Sequence, residues 1–103
     1  MTDRELLELA AKAAGMKWHD GSVWLDADVE YVPWNPLTDD GDAFRLAVKL
    51  KLSIENGEYD VSVEVWFELS NLRRVNEFYG NDPYAATRRT IVRAAAEIGK
   101  EMK

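Results

Sequence analysis

Hydrophobic and polar positions along this chain repeat with two different periods, and the switches between them mark out the elements. Leu6, Leu9, Ala10 and Ala13 fall on one side of a 3.6-residue wheel, with Arg4, Glu8 and Lys12 opposite, which predicts an amphipathic helix over about 2–14. Thr2 and Glu5 have the spacing of a capping box, where each side chain satisfies a backbone N–H at the helix start. Gly15 is a natural stop. From Ser22 to Val32 the period becomes two. Val23, Leu25, Ala27, Val29 and Tyr31 point one way, and Trp24, Asp26, Asp28 and Glu30 the other. This predicts a half-buried strand, bent or split near Asp26–Asp28. A short strand around Met16–Trp18 precedes it, joined through the turn His19-Asp20-Gly21, and Pro33 and Pro36 close it.

The helical period returns over about 40–50. Ala43, Phe44, Leu46, Ala47, Val48 and Leu50 form a wide apolar arc, against a polar stripe of only Asp42, Arg45 and Lys49. So narrow a wet stripe predicts a helix more deeply buried than the first, with Asp39 at its N-cap. Leu52–Glu55 then alternate into Asn56-Gly57, a strong hairpin signal. The return strand sets Tyr59, Val61, Val63, Val65 and Phe67 on one face, and Asp60, Ser62, Glu64, Trp66 and Glu68 on the other. Ser70–Asn81 reads as polar and irregular, with room for a short strand or turn around Val75–Tyr79. Asp82-Pro83 opens a last helix over about 83–102, Asp as N-cap and Pro at the first helical position. The chain shows neither repeat nor linker, so 1–103 reads as one α+β domain.

Composition narrows this picture. The 103 residues include no cysteine, which removes disulfides and thiolate metal sites and suits a reducing compartment. No apolar run approaches the ~18 residues of a membrane span, and Met1-Thr2-Asp3-Arg4-Glu5 is unlike a signal peptide. A cytoplasmic protein is expected. The net charge of −6 gives no overall attraction to nucleic acid phosphates or anionic membranes, so neither is an expected partner.

Candidate chemistry is sparse. Asp39-Asp40-Gly41-Asp42 lacks the alternating ligands and final glutamate of a calcium loop. It reads better as an N-cap with acidic first-turn residues that the helix dipole favours. His19, the single histidine, stands beside Asp20 without a motif that would make it a base, and reads as a turn residue. No phosphate-binding, dinucleotide, zinc or redox motif is present in the sequence. Catalytic residues, a metal and a cofactor are therefore not expected, which weighs against an enzyme.

Two features resist a bland reading. The polar faces of the two long strands carry large indoles among acids: Trp24 with Asp26 and Asp28, and Trp66 with Glu64 and Glu68. Either a third layer covers that face, the more economical reading, or a partner does. The second is the last helix. Tyr84, Ile91, Ala95, Ile98 and Met102 share a face, with Arg88 inside the apolar arc and Arg89, Arg93 and Lys100 opposite. A buried arginine needs an anionic or carbonyl partner. If the last helix packs across the acidic, Trp-bearing face, Arg88 pairs with one of its acids, and the fold is a three-layer α/β/α sandwich with a mainly antiparallel sheet. The rival role for Arg88 is to hold a ligand carboxylate or phosphate.

Two strings, Trp34-Asn35-Pro36-Leu37-Thr38-Asp39-Asp40-Gly41-Asp42 through Val48, and Asp82-Pro83-Tyr84-Ala85-Ala86-Thr87-Arg88-Arg89 through Gly99, resemble the phage ABA sandwich domain family. The likeness is close over the second and third helices and loose elsewhere. It implies an α/β/α sandwich encoded by bacteriophages or prophages, and carries over no activity, cofactor or site residue.

The expectation that follows is a non-enzymatic phage accessory protein that binds a host or phage protein. One specific form is an acidic inhibitor, whose surface imitates nucleic acid. The alternative is a small-molecule or nucleotide binder, with or without enzymatic activity, that uses Arg88. Self-association through an edge strand or an uncovered Trp face is compatible with both.

Overall fold

The computed structural model describes residues 1–24, 31–57, 62–69 and 71–102. Among them, α1 (Asp3–Ala13), β1 (Lys17–His19), β2 (Ser22–Trp24), β3 (Tyr31–Pro33), α2 (Asp40–Lys49), β4 (Ser53–Asn56), β5 (Ser62–Glu68), β6 (Leu72–Phe78) and α3 (Pro83–Glu101) follow in order. The fold is α+β, an α/β sandwich in which the described residues form three helices and two three-stranded antiparallel sheets, β1-β2-β3 and β4-β5-β6. None of the described helices is long and apolar enough to cross a membrane.

The helix ends follow their local chemistry. Thr2 Oγ1 accepts from Glu5 N at 3.2 Å, while the Glu5 carboxylate reaches back to Thr2 N. Asp39 Oδ2 accepts from Asp42 N at 2.8 Å, and Asp82 Oδ1 accepts from Tyr84 N and Ala85 N. α1 closes on Gly15 at φ 75°, with Met16 N bonded to Ala11 O and Gly15 N to Lys12 O.

The first sheet begins with a tight turn. Asp20 and Gly21 both have positive φ, 45° and 84°, and their neighbours His19 and Ser22 pair directly. That is the primed two-residue turn whose twist matches a hairpin. The period-two stretch after it is split: Trp24 pairs with Tyr31, Val23 with Val32 and Ser22 with Pro33. Leu25, Asp26, Ala27, Asp28, Val29 and Glu30 lie outside the described residues, as do Tyr59, Asp60 and Val61.

In the second sheet Asn56 pairs with Val63, so Asn56 ends β4 and the connection is longer than the Asn56-Gly57 dipeptide. β6 corrects a larger expectation, because Leu72–Phe78 is a full strand, paired with β5 from Glu68↔Leu72 to Ser62↔Phe78. It escapes a hydropathy reading because its half-buried positions include Arg73 and Glu77. Arg73 pairs with Glu101 at 3.1 Å and Arg93 with Glu77, so the charges that disguise the strand are neutralised by α3.

The helix layers also differ from expectation. α3 does not cross the acidic face. It packs on the opposite side of the second sheet, where Val65 and Phe67 join Ile91, Val92 and Ala95 in one core with α1 and α2 residues. α3 touches α1, α2, β5 and β6 and is the central helix, so Thr90, Val92, Ala94 and Ala95 are fully buried. Its crossing with α1 depends on Gly99, where a Cβ would stand 2.1 Å from the Leu9 carbonyl oxygen. Tyr84 and Met102, expected on the buried face, are exposed. α2 likewise buries only Ala43, Leu46 and Ala47 and leaves Phe44 and Val48 to solvent, so its wide apolar arc overstates its burial.

Candidate functional site

Two surfaces carry the unusual residues. The first is the outer face of the β4-β5-β6 sheet. Alternation places Val63, Val65 and Phe67 toward α3, and therefore Ser62, Glu64, Trp66 and Glu68 outward. Cross-strand register adds Ser53 and Glu55 from β4, and Leu72, Arg74, Asn76 and Phe78 from β6. The face is open. Phe78 is 77% exposed and Leu72 63%, at the two ends of β6, with exposed Glu68 opposite Leu72 and exposed Glu55 across the sheet on β4. Trp66 is half-buried, with the Arg74 guanidinium 5.5 Å from its ring centroid. The same guanidinium bonds Glu64 at 3.2 Å, so a cation, an acid and an indole hold one another flat on the sheet.

Trp24 does not join this surface. It lies on β2 in the first sheet, while Trp66 lies on β5 in the second, so the two acidic, Trp-bearing strands never form one face. Asp26 and Asp28 fall outside the described residues. Leu72 and Phe78 are the surface residues that hydropathy reading missed. Their signal is the length of the segment between Asn71 and Gly80, eight residues bounded by turn formers.

The second surface is a groove of about 500 Å³ between α2, β4 and the start of α3. Phe44, Ile54, Tyr84 and Ile91 form its apolar walls, and Arg88 and Asp40 its polar end. Arg88 Nε donates to the Leu37 carbonyl at 2.9 Å and Nη1 to Asp40 Oδ1 at 2.6 Å. The expected pairing with a sheet acid is thus replaced by one with the first turn of α2. The reason is topological: α3 approaches α2 here and never meets the acidic face. Arg88 is 17% exposed but Asp40 is 72% exposed, so the pair sits at a rim rather than in the core.

The other aspartates of the α2 start share a different partner, Arg45. Asp39 caps the helix, while Asp42 accepts from Asn35 N at 2.9 Å and bonds Arg45 at 2.7 Å. With Asp39 and Asp42 turned to Arg45 and Asp40 to Arg88, the three carboxylates are taken up by arginines. Among the described residues there is no group of three or more acidic or histidine side chains placed to hold a metal. His19 Nε2 lies 3.6 Å from Asp20 Oδ2 on the tight turn, and both side chains are largely exposed.

A phage protein from Bacillus cereus ATCC 14579 superimposes with a TM-score of 0.66 at 13% identity, over 100% of this chain and 91% of that one. The likeness is one of fold. No family model matches the chain, and no curated protein matches it.

Proposed function

We propose that this chain is a non-enzymatic phage accessory protein that binds a host or phage protein through the outer face of its second sheet. The observation behind this is a flat sheet face that keeps Phe78 and Leu72 in solvent among Glu55, Glu64 and Glu68. Exposed apolar side chains at both ends of β6, with Trp66 and charged residues between them, have the mixed composition of a protein interface. A net charge of −6 favours a basic partner and speeds its encounter. The phage setting is supported by the fold shared with the Bacillus cereus phage protein and by the strings that resemble the phage ABA sandwich family.

The apolar side chains on the face argue against close imitation of nucleic acid, which needs acids spaced evenly over the whole surface. A ligand in the Arg88 groove is the second reading, favoured by the exposure of Phe44 and Tyr84 at its mouth. It is weakened by Arg88, which is already engaged by Asp40 and Leu37.

The test is affinity capture from lysate of the bacterial host with the native chain, a Trp66→Ala, Glu64→Ala variant and a Phe44→Ser, Tyr84→Ser variant. Loss of a captured protein with the first variant alone supports the sheet face. Loss with the second alone moves the function to the groove, and indifference to both removes both surfaces.

A further inference from the structure

β6 is an edge strand, and its residues are complementary to themselves when the strand is turned around. Gly57 N bonds to Ser62 O, which makes that pair hydrogen-bonded and directs the even-numbered backbone groups of β5 toward β4. Its odd-numbered groups then face β6 and engage Arg73, Val75 and Glu77. The N–H and C=O groups of Leu72, Arg74, Asn76 and Phe78 therefore point off the open edge. The Asn76 carbonyl confirms this direction, since it accepts from Arg93 Nη1 at 2.9 Å instead of from a strand.

We propose that two copies of the chain join their β6 strands antiparallel about a two-fold axis at Val75, giving one six-stranded sheet. In that register Leu72 lies opposite Phe78 of the second copy, which pairs the two most exposed apolar side chains of the sheet's outer face. On the helix side Arg73 lies opposite Glu77 of the second copy. Each already has an intramolecular partner, Glu101 for Arg73 and Arg93 for Glu77. Juxtaposition therefore builds a row of alternating sign: Glu101, Arg73, then Glu77 and Arg93 of the second copy. Val75 meets its own copy in the close, non-hydrogen-bonded site where cross-strand side chains pack best. Arg74 and Asn76 exchange backbone hydrogen bonds. The Arg93 contact is compatible with this, because a carbonyl oxygen has a second lone pair.

Other registers are worse. Shifting by two residues one way sets Arg74 against itself, and shifting the other way sets Val75 against Glu77. β4, the other edge, has no such complementarity: an antiparallel self-pairing of Ser53-Ile54-Glu55-Asn56 brings Glu55 near its copy. This assembly is independent of the partner reading, although it doubles the same outer face. Its failure leaves that reading standing, because capture and self-association are measured separately.

Sedimentation equilibrium across a concentration series is the direct test. The native chain is expected to reach twice the monomer mass. Asn76→Pro removes an N–H that no neighbouring strand uses among the described residues, so it should stay monomeric with unchanged circular dichroism and, at concentrations low enough for monomer, an unchanged melting temperature. Amide exchange gives a second readout that needs no variant. Arg74 and Asn76 N–H should slow at least tenfold from the dilute to the concentrated sample, while Val75 N–H, bonded to β5, should be slow at both. A monomer at every concentration overturns the proposal, and so does a dimer that Asn76→Pro leaves intact or one without protection at Arg74 and Asn76.

Discussion

β5 and β6 are neighbours of equal length in one sheet, yet they divide their residues in opposite ways. β5 puts Val63, Val65 and Phe67 under α3 and keeps acids outside. β6 puts Arg73 and Glu77 on the helix side and leaves Leu72 and Phe78 in solvent. The difference comes from position beneath the helix. β5 runs below the middle of α3, where water is excluded and charge is costly. β6 runs below its flank, where Arg93 and Glu101 supply counter-charges at the edge. An inward-facing position is therefore not the same as an apolar one, and edge strands show this first.

Two phenylalanines give the widest test of that contrast. Phe67→Ala should cost about 3–5 kcal/mol, since it opens a cavity in the core. Phe78→Ala, measured at protein concentrations low enough for monomer, should stay within about 0.5 kcal/mol. Urea midpoints check both, and equal losses would erase the distinction between the strands.

The next effect down concerns the helix that creates the inner face. Gly99→Ala should cost about 2–3 kcal/mol, because its Cβ meets backbone at Leu9 instead of a movable side chain. A neutral result in thermal melts would mean that α1 and α3 can separate without loosening the sheet.

Arginine variants sharpen the comparison further. Arg88→Ala should cost about 2 kcal/mol, since it strands the Leu37 carbonyl, while Asp40→Ala should cost under about 1 kcal/mol at its exposed end. Arg93→Ala should cost about 1–2 kcal/mol by leaving the half-buried Glu77 carboxylate unpaired on the helix side. Arg74→Ala, on the open side, should cost at most about 0.5–1 kcal/mol. Chemical denaturation of all four ranks them, and an Arg74 loss larger than that of Arg93 would contradict the assignment of faces.

The smallest expected change is a gain. Lys51 closes α2 at φ 57°, a conformation that suits glycine, so Lys51→Gly should stabilise by about 0.5–1 kcal/mol.

Much of the architecture is legible one residue at a time. Thr2 and Glu5, Asp39, and Asp82-Pro83 mark the helix starts because a cap acts on backbone groups two or three positions away. The inward face of β5 is legible for the same reason, since three apolar side chains in strict alternation leave no other choice. The outer face was half legible: Glu64, Trp66 and Glu68 stand out, but Leu72 and Phe78 were hidden in a stretch that reads as irregular. Arg88 stands out as a misplaced charge, yet nothing in its own helix names Asp40 and Leu37, about fifty positions earlier in the chain.

What the sequence determined by itself is therefore local: the caps, the turn at Asp20-Gly21, the hairpin around Asn56-Gly57 and the periods of three helices. Tertiary structure alone decided which side of the sheet α3 would cover, that Trp24 and Trp66 would belong to different sheets, and that β6 would be an edge. These depend on how whole elements pack. α3 offers apolar residues around much of its circumference, and Gly99, where no side chain keeps α1 at a distance, helps it pack against both the first helix and the inner face of β5.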